Sequence, residues 1–160
     1  KERPETKIVV SEPADAAMLT SGVGQDRNSD GSAATSHPSF NPHPIQGWSP
    51  DFIPQITENA VKMDFIEEVL TVTGPDAMKA ARDLAMHEGI LCGISCGATF
   101  ATALEVANKA PKGSTILCML PDTGERYLST PLFGEIEPEM NEAELEISMS
   151  TAGYQRPNPA

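Results

Sequence analysis

One stretch constrains the fold more than any other. At residues 116–130, ILCMLPDTGERYLST, an apolar run ends in a proline and then turns polar. The run from Ile116 to Leu120 is typical of a strand buried in an α/β sheet. Because ligands bind beyond the carboxyl ends of strands in open α/β sheets, the polar residues after Pro121 form a candidate site. Pro, Asp and Gly here are also ordinary turn residues, so spacing alone leaves both interpretations open.

The composition excludes several classes of function. The chain has 160 residues, which suits one domain, and 11 Lys and Arg against 23 Asp and Glu give a net charge of -12. With no basic run, we expect neither nucleic acid nor an anionic membrane as a partner. The sequence has no apolar run of about 20 residues, so we expect no membrane-spanning helix. The three cysteines fit neither a disulfide framework nor a zinc site, which favours a reducing cytoplasm.

Hydrophobic patterning predicts alternating strands and helices. Short strands are expected at 7–10 and at 65–73, the second at a sheet edge. A helix is expected to begin near Pro75 and to end at Gly89, and a second helix spans 98–109. The scaffold is therefore α/β.

The entry to the second helix, ILCGISCGA at 90–98, has two interpretations. Free amides at a helix start can hold an anion, whereas Gly93 and Gly97 also permit close packing of the helix against the sheet. Packing is the favoured interpretation. Cys96 in this segment is expected to be a small core residue rather than a reactive thiol, because no base accompanies it.

Two regions lack such patterning. Residues 21–44 are rich in Gly, Ser, Asn and Asp, which predicts a long surface loop, solvated or packed at a subunit interface or site mouth. His37 and His43 in it have no neighbouring acidic or thiol ligand, so no metal site is expected. Residues 135–160 form an acidic tail with six glutamates between Glu135 and Glu146, and the last eight residues are expected to be disordered.

Three segments, in order, resemble the cysteine synthase (O-acetylserine sulfhydrylase) branch of the fold type II pyridoxal phosphate enzymes. They are HPIQGWSPDFIP at 43–54, EGILCGISCGAT at 88–99 and LPDTGERYLST at 120–130. The resemblance covers residues 7–133 and only the carboxyl-terminal half of the family's usual length. It implies that residues 1–134 are the carboxyl-terminal part of the larger, three-layer cofactor-binding domain, followed by the tail at 135–160.

The resemblance also implies a site. Thr123 stands where the family's hydroxyl binds the pyridine nitrogen of pyridoxal phosphate, and Gly47 stands where the main chain approaches the cofactor ring. A neutral hydroxyl does not hold that nitrogen protonated, which suits β-elimination and replacement. No catalytic residue is assigned, because none of the six lysines lies in a segment resembling the family's Schiff-base motif. Trp48 beside Gly47 is either a surface aromatic or part of the cofactor site.

The implied reaction replaces the acetate of O-acetylserine with sulfide to give cysteine. The resemblance further implies a cytoplasmic homodimer that can bind the peptide tail of serine acetyltransferase. Two alternatives remain open. One is a cystathionine β-synthase-like enzyme that uses homocysteine and serine, and the other is a non-catalytic binding module that has kept the fold.

Overall fold

The computed structural model describes residues 3–150 and contains two strands and four α-helices in that range. Strand β1 is Val9–Pro13 and β2 is Glu68–Val72. The helices are α1 (Gln55–Lys62), α2 (Gly74–Asp83), α3 (Ile94–Lys109) and α4 (Glu142–Met149). Short 3-10 turns occur at Ala14–Ala16, Gly124–Tyr127 and Pro131–Phe133.

The two strands pair in parallel, with Val9 opposite Glu68 and Pro13 opposite Val72. Strand β2 lies within the predicted range 65–73, whereas β1 begins two residues later and ends three residues later than predicted. Strand β2 buries Val72 but leaves Glu68 exposed, as expected at an edge. Parallel strands bring their carboxyl ends to one sheet edge. At that edge Thr73 caps α2, its hydroxyl accepting the Asp76 N–H at 3.2 Å.

Helices α2 and α3 pack closely against each other. The π-helical turn Leu84–Glu88 continues α2, and Gly89 ends it in the left-handed conformation with φ 70°, as predicted. Helix α3 begins four residues earlier than expected, because the segment after Gly93 is already helical and buried. A Cβ on Gly97 would lie 2.0 Å from the Ala77 carbonyl oxygen, so this glycine permits the helix contact. Close packing is therefore confirmed at Gly97, but its partner is helix α2 and not the sheet that was expected.

One hydrophobic core joins distant parts of the chain. Its largest fully buried side chains include those of Ile45, Ile94 and Leu132, and Tyr127 and Cys96 belong to the same cluster. These residues come from the three segments that carry the family resemblance or directly follow them. The core therefore holds the candidate site together.

The expected strand at 116–120 is wrong, because the structure has no strand there. Leu117 is 93% exposed and Met119 67% exposed, whereas Cys118 and Leu120 are half-buried and Leu120 packs against the core. A strand needs a neighbour to pair with its backbone, and the sheet of the described residues consists of β1 and β2 alone. The apolar run therefore rests one face on the core and exposes the other.

The loop at 21–44 contains no long element, as predicted, but it is not simply solvated. Gln25 and His37 within it are buried. The tail contains α4, whose start carries a capping box in which Asn141 and Glu144 bind each other's backbone N–H groups. Neither α1 nor α4 was predicted from the sequence. The boundary at 134 stays a prediction, and the last eight residues lie outside the described range.

Within residues 3–150, no helix has the length and apolarity that a membrane crossing requires. The same range contains no group of three or more His, Cys, Asp or Glu side chains arranged to hold a metal ion. All three cysteines are free thiols.

Candidate functional site

Asp122 fixes the turn that follows the apolar run. Its Oδ1 accepts the Thr123 N–H at 2.8 Å and pairs with Arg126 Nε at 3.1 Å. Its Oδ2 accepts the Tyr127 hydroxyl at 3.0 Å. Burial and, secondly, the hydrogen bond to Asp122 raise the pKa of Tyr127, so its hydroxyl remains a donor at neutral pH. Arg126 and Tyr127 thus brace the turn through Asp122, a residue of the predicted candidate site for which no such role was predicted.

The start of α3 holds the same turn from its other side. Gly93 N–H donates to the Asp122 carbonyl oxygen at 3.4 Å, and the Cys96 thiol donates to that oxygen at 3.1 Å. Cys92 and Thr123 form an antiparallel bridge. Cys96 is completely buried, which confirms it as a core residue. Burial, and then the neighbouring Cys96, raises the pKa of Cys92 to about 11, so the Cys92 thiol is not set up as a nucleophile.

Thr123 combines a fixed backbone with an exposed side chain. Its hydroxyl donates to Glu125 Oε2 at 2.7 Å, and both side chains are exposed. A hydrogen bond at the surface has a small net free energy, about 1 kcal/mol. The hydroxyl can therefore exchange Glu125 for another partner without disturbing the turn beneath it.

Gly47 lies at the tip of a separate tight turn. Its φ is 84°, and no atom lies within 4 Å of the position that a Cβ would occupy. Ile45, two residues earlier, is buried in the core, and Trp48 packs against that core. The structure thus anchors both sides of Gly47 while leaving its own Cα open to a flat group.

The family model described as pyridoxal-phosphate dependent enzyme matches residues 1–122. The chain belongs to the pyridoxal phosphate-dependent enzyme family. It is 42% identical to O-ureido-L-serine synthase of Streptomyces lavendulae over 141 residues, covering 88% of this chain and 37% of that protein. It is 35% identical to a cysteine synthase of Staphylococcus aureus over 133 residues, covering 83% of this chain and 36% of the relative.

Solved structures of family members confirm the α/β fold. An O-ureido-L-serine-bound variant of O-ureido-L-serine synthase superposes with a TM-score of 0.72 at 41% identity, over 94% of this chain and 40% of that one. O-acetylserine sulfhydrylase isoform 3 of Entamoeba histolytica superposes with a TM-score of 0.68 at 34% identity, over 92% of this chain and 38% of that one. The chain therefore spans less than half the length of these relatives.

The family membership confirms pyridoxal phosphate as the cofactor, and the residues present fit one side of it. The exposed Thr123 hydroxyl offers a neutral hydrogen-bond partner, and Gly47 offers open main chain. The described lysines do not fit the role of the residue that forms the Schiff base. Lys7, Lys62, Lys79 and Lys109 are exposed and ion-paired with carboxylates, and the hydrogen bonds to Glu67 and Glu105 raise the pKa of Lys7 and Lys109. A Schiff-base lysine requires the opposite shift.

Proposed function

We propose that this chain forms part of a cysteine synthase, a pyridoxal phosphate-dependent enzyme that exchanges the acetate of O-acetylserine for sulfide. The products are cysteine and acetate. One observation carries the proposal: the LPDTGERYLST segment exposes the Thr123 hydroxyl on a turn that Asp122, Tyr127 and the start of α3 hold rigid. The 35% identity to a cysteine synthase supports it.

The chain's own residues supply binding rather than proton transfer in this proposal. The bound cofactor serves as the electron sink for β-elimination. Thr123 would bind the ring nitrogen of the cofactor through a neutral hydroxyl, and Gly47 would let the main chain approach the ring. The reactive lysine lies outside this chain. Cytoplasmic location, a homodimeric parent enzyme and binding of a serine acetyltransferase tail belong to the same proposal.

A second candidate changes only the nucleophile. The 42% identity to O-ureido-L-serine synthase favours a product in which the oxygen of hydroxyurea, instead of sulfide, joins the β-carbon of serine. A third candidate rests on the O-acetylserine dependent cystathionine β-synthase of Helicobacter pylori, which is 30% identical with a TM-score of 0.64. All three candidate functions use the same proposed site and differ in the nucleophile that attacks the β-carbon.

A nucleophile competition separates these candidates. The assembled enzyme that contains this chain, loaded with pyridoxal phosphate, is given O-acetylserine with equal sulfide, hydroxyurea and homocysteine, and mass spectrometry quantifies the products. We expect cysteine to dominate. A majority of O-ureidoserine or cystathionine would replace the proposal with the corresponding candidate. Failure to release acetate under any condition would favour the non-catalytic binding module.

Thr123→Ala tests the site itself. Loss of the hydroxyl should lower kcat/KM by about tenfold or more, equivalent to about 1.4 kcal/mol of transition-state stabilisation. The visible absorption of the bound cofactor should also shift. Thr123→Ser should restore both, and Thr115→Ala, at an exposed threonine outside the turn, should change neither. An unaltered spectrum and rate in Thr123→Ala would refute the assignment.

The lysine assignment has its own test. We expect borohydride reduction of the chain with pyridoxal phosphate to give only scattered, substoichiometric lysine adducts, because the described lysines are exposed. Peptide mapping by mass spectrometry provides the measurement. A single lysine labelled to completion would contradict the assignment and locate the reactive amine in this chain.

A further inference from the structure

Two histidines make the same kind of hydrogen bond in different surroundings. His37 Nε2 lies 3.0 Å from the Val23 carbonyl oxygen, and His43 Nε2 lies 3.2 Å from that of Ser49. A carbonyl can only accept, so Nε2 carries the hydrogen in both rings and Nδ1 is an acceptor. The His37 Nδ1 accepts the Ser39 N–H at 3.1 Å. The His43 Nδ1 is buried and has no hydrogen-bond partner among the described residues.

The His43 bond closes a turn with an unfavourable backbone. Gly47 has φ 84°, and Ser49 has φ 38°, a left-handed conformation that residues with a Cβ seldom adopt. A 3.3 Å hydrogen bond from Trp48 N–H to the Ile45 carbonyl oxygen also crosses the turn. The Phe40 ring packs edge-on against His43, with centroids 6.3 Å apart, and orients the imidazole toward Ser49.

We propose that His43 is the positioning residue of the 43–49 turn. Its Nε2–H bond holds Ser49 in the left-handed conformation, and this fixes the Gly47 main chain and seats Trp48 on the core. The link to the cofactor rests on the proposed function, in which Gly47 faces the ring. His37 has a different task, because its side chain bonds Val23 and Ser39 and makes no bond to the 43–49 turn among the described residues.

The expected kinetic signature follows from this indirect role. His43 does not contact the reacting atoms in the proposal, so its removal should weaken binding more than it slows chemistry. In the assembled enzyme, His43→Ala should raise the KM for O-acetylserine about threefold to tenfold while kcat stays within about twofold. The affinity for pyridoxal phosphate should fall in parallel.

The turn carries its own probe, because Trp48 is the single tryptophan of the chain. In the full 160-residue chain, His43→Ala should shift Trp48 emission to the red and increase its quenching by acrylamide. His43→Gln, whose side-chain amide can donate to the same carbonyl, should restore the wild-type emission. Two controls, His37→Ala and His87→Ala at an exposed histidine, should leave the emission unchanged. Circular dichroism of each variant verifies that the chain is folded.

Each contrary result is distinct. Unchanged Trp48 emission in His43→Ala overturns the positioning role, and so does an equal shift in His37→Ala. An emission shift with no change in KM or cofactor affinity also overturns it, because the turn would then not serve the site. A wild-type enzyme that binds no pyridoxal phosphate overturns the proposed function instead, and the Trp48 measurements still report on the turn.

Discussion

The loop at 21–44 and the apolar segment at 116–120 invert the usual relation between composition and burial. The loop is polar and yet buries Gln25 and His37, whereas the segment is apolar and leaves Leu117 almost fully exposed. Burial of a segment requires partners for its backbone and a surface against which it packs. The loop meets both requirements with its own residues and with α1. The segment has a packing surface on one face only and no paired strand.

Side chains provide the loop with what a sheet would otherwise supply. Gln25 accepts the Ile53 N–H at 3.0 Å and donates to the Thr35 carbonyl oxygen at 2.8 Å. Arg27 pairs with Glu58 of α1 at 2.6 Å and also donates to the Ile53 carbonyl oxygen at 2.8 Å. These few contacts order a long connection without regular secondary structure.

The largest expected effect comes from the same substitution made at a buried and at an exposed leucine. Leu132, 1% exposed, lies in the core, and Leu132→Ala should lower the free energy of unfolding by about 2–5 kcal/mol. Leu117→Ala should change it by no more than about 0.5 kcal/mol. Denaturant unfolding of both variants measures the difference. Equal losses would show that the apolar segment is packed after all.

Removal of the Gln25 side chain should have the next largest effect. Gln25→Ala leaves the buried Ile53 N–H without its partner, which costs about 1–3 kcal/mol of unfolding free energy, whereas the exposed Thr35 carbonyl can bind water instead. Gln46→Ala, at an exposed glutamine, is the matched control and should lie within about 0.5 kcal/mol of wild type. A Gln25→Ala variant as stable as its control would mean that the loop is solvated, as composition suggests.

Acid should produce the smallest of the three effects, at the Arg27–Glu58 contact. Hydrogen bonds from Lys62 and Arg27 hold the pKa of Glu58 below the ordinary 4.5. A carboxylate whose pKa is lower in the folded state stabilises the fold fully when the pH is above its ordinary pKa. This stabilisation is lost as the pH falls through the folded-state pKa. The hydrogen-exchange protection factors of the Asn28 and Ala34 amides, both bonded within the loop, should therefore fall below about pH 4.5.

Asp30, whose pKa the Ser32 hydrogen bonds also lower, contributes to the same acid response. Glu58→Gln separates the two carboxylates. In that variant the part of the lost protection that belongs to the Arg27 contact should already be lost at neutral pH. An unchanged exchange profile in Glu58→Gln would assign the whole response to Asp30 and remove α1 from the account of loop order.

Helix ends and close packing could be predicted from the sequence wherever a short residue pattern determines the local structure. Pro75 and Gly89 delimit the helical segment that begins with α2, and the spacing of small residues in ILCGISCGA indicated close packing, as Gly97 shows. Helix α1 was not predicted from the sequence, because it is only 8 residues long and buries none of them. The start of α3 was placed late because buried apolar and glycine residues hid its helical period.

The site was readable only in part. The Thr123 and Gly47 assignments came from motif resemblance, and they stay predictions about the cofactor. The bracing role of Asp122 was not predicted, because Asp is common in turns. Its four-residue spacing to Arg126 is the one sequence signal for that role. The role of His43 depends on a carbonyl six residues away and on a buried nitrogen, neither of which any sequence pattern encodes.

The sequence by itself determined the family, the cofactor and the α/β class, because three ordered motifs and hydrophobic periodicity are local properties of the chain. Only the tertiary structure decided whether the apolar run at 116–130 begins as a buried strand. Strand formation and burial depend on partners brought from elsewhere in space, and the described residues offer Ile116 to Leu120 a core on one face alone. The turn after it is ordered nonetheless, because Asp122, Tyr127 and the start of α3 hold it independently of any sheet.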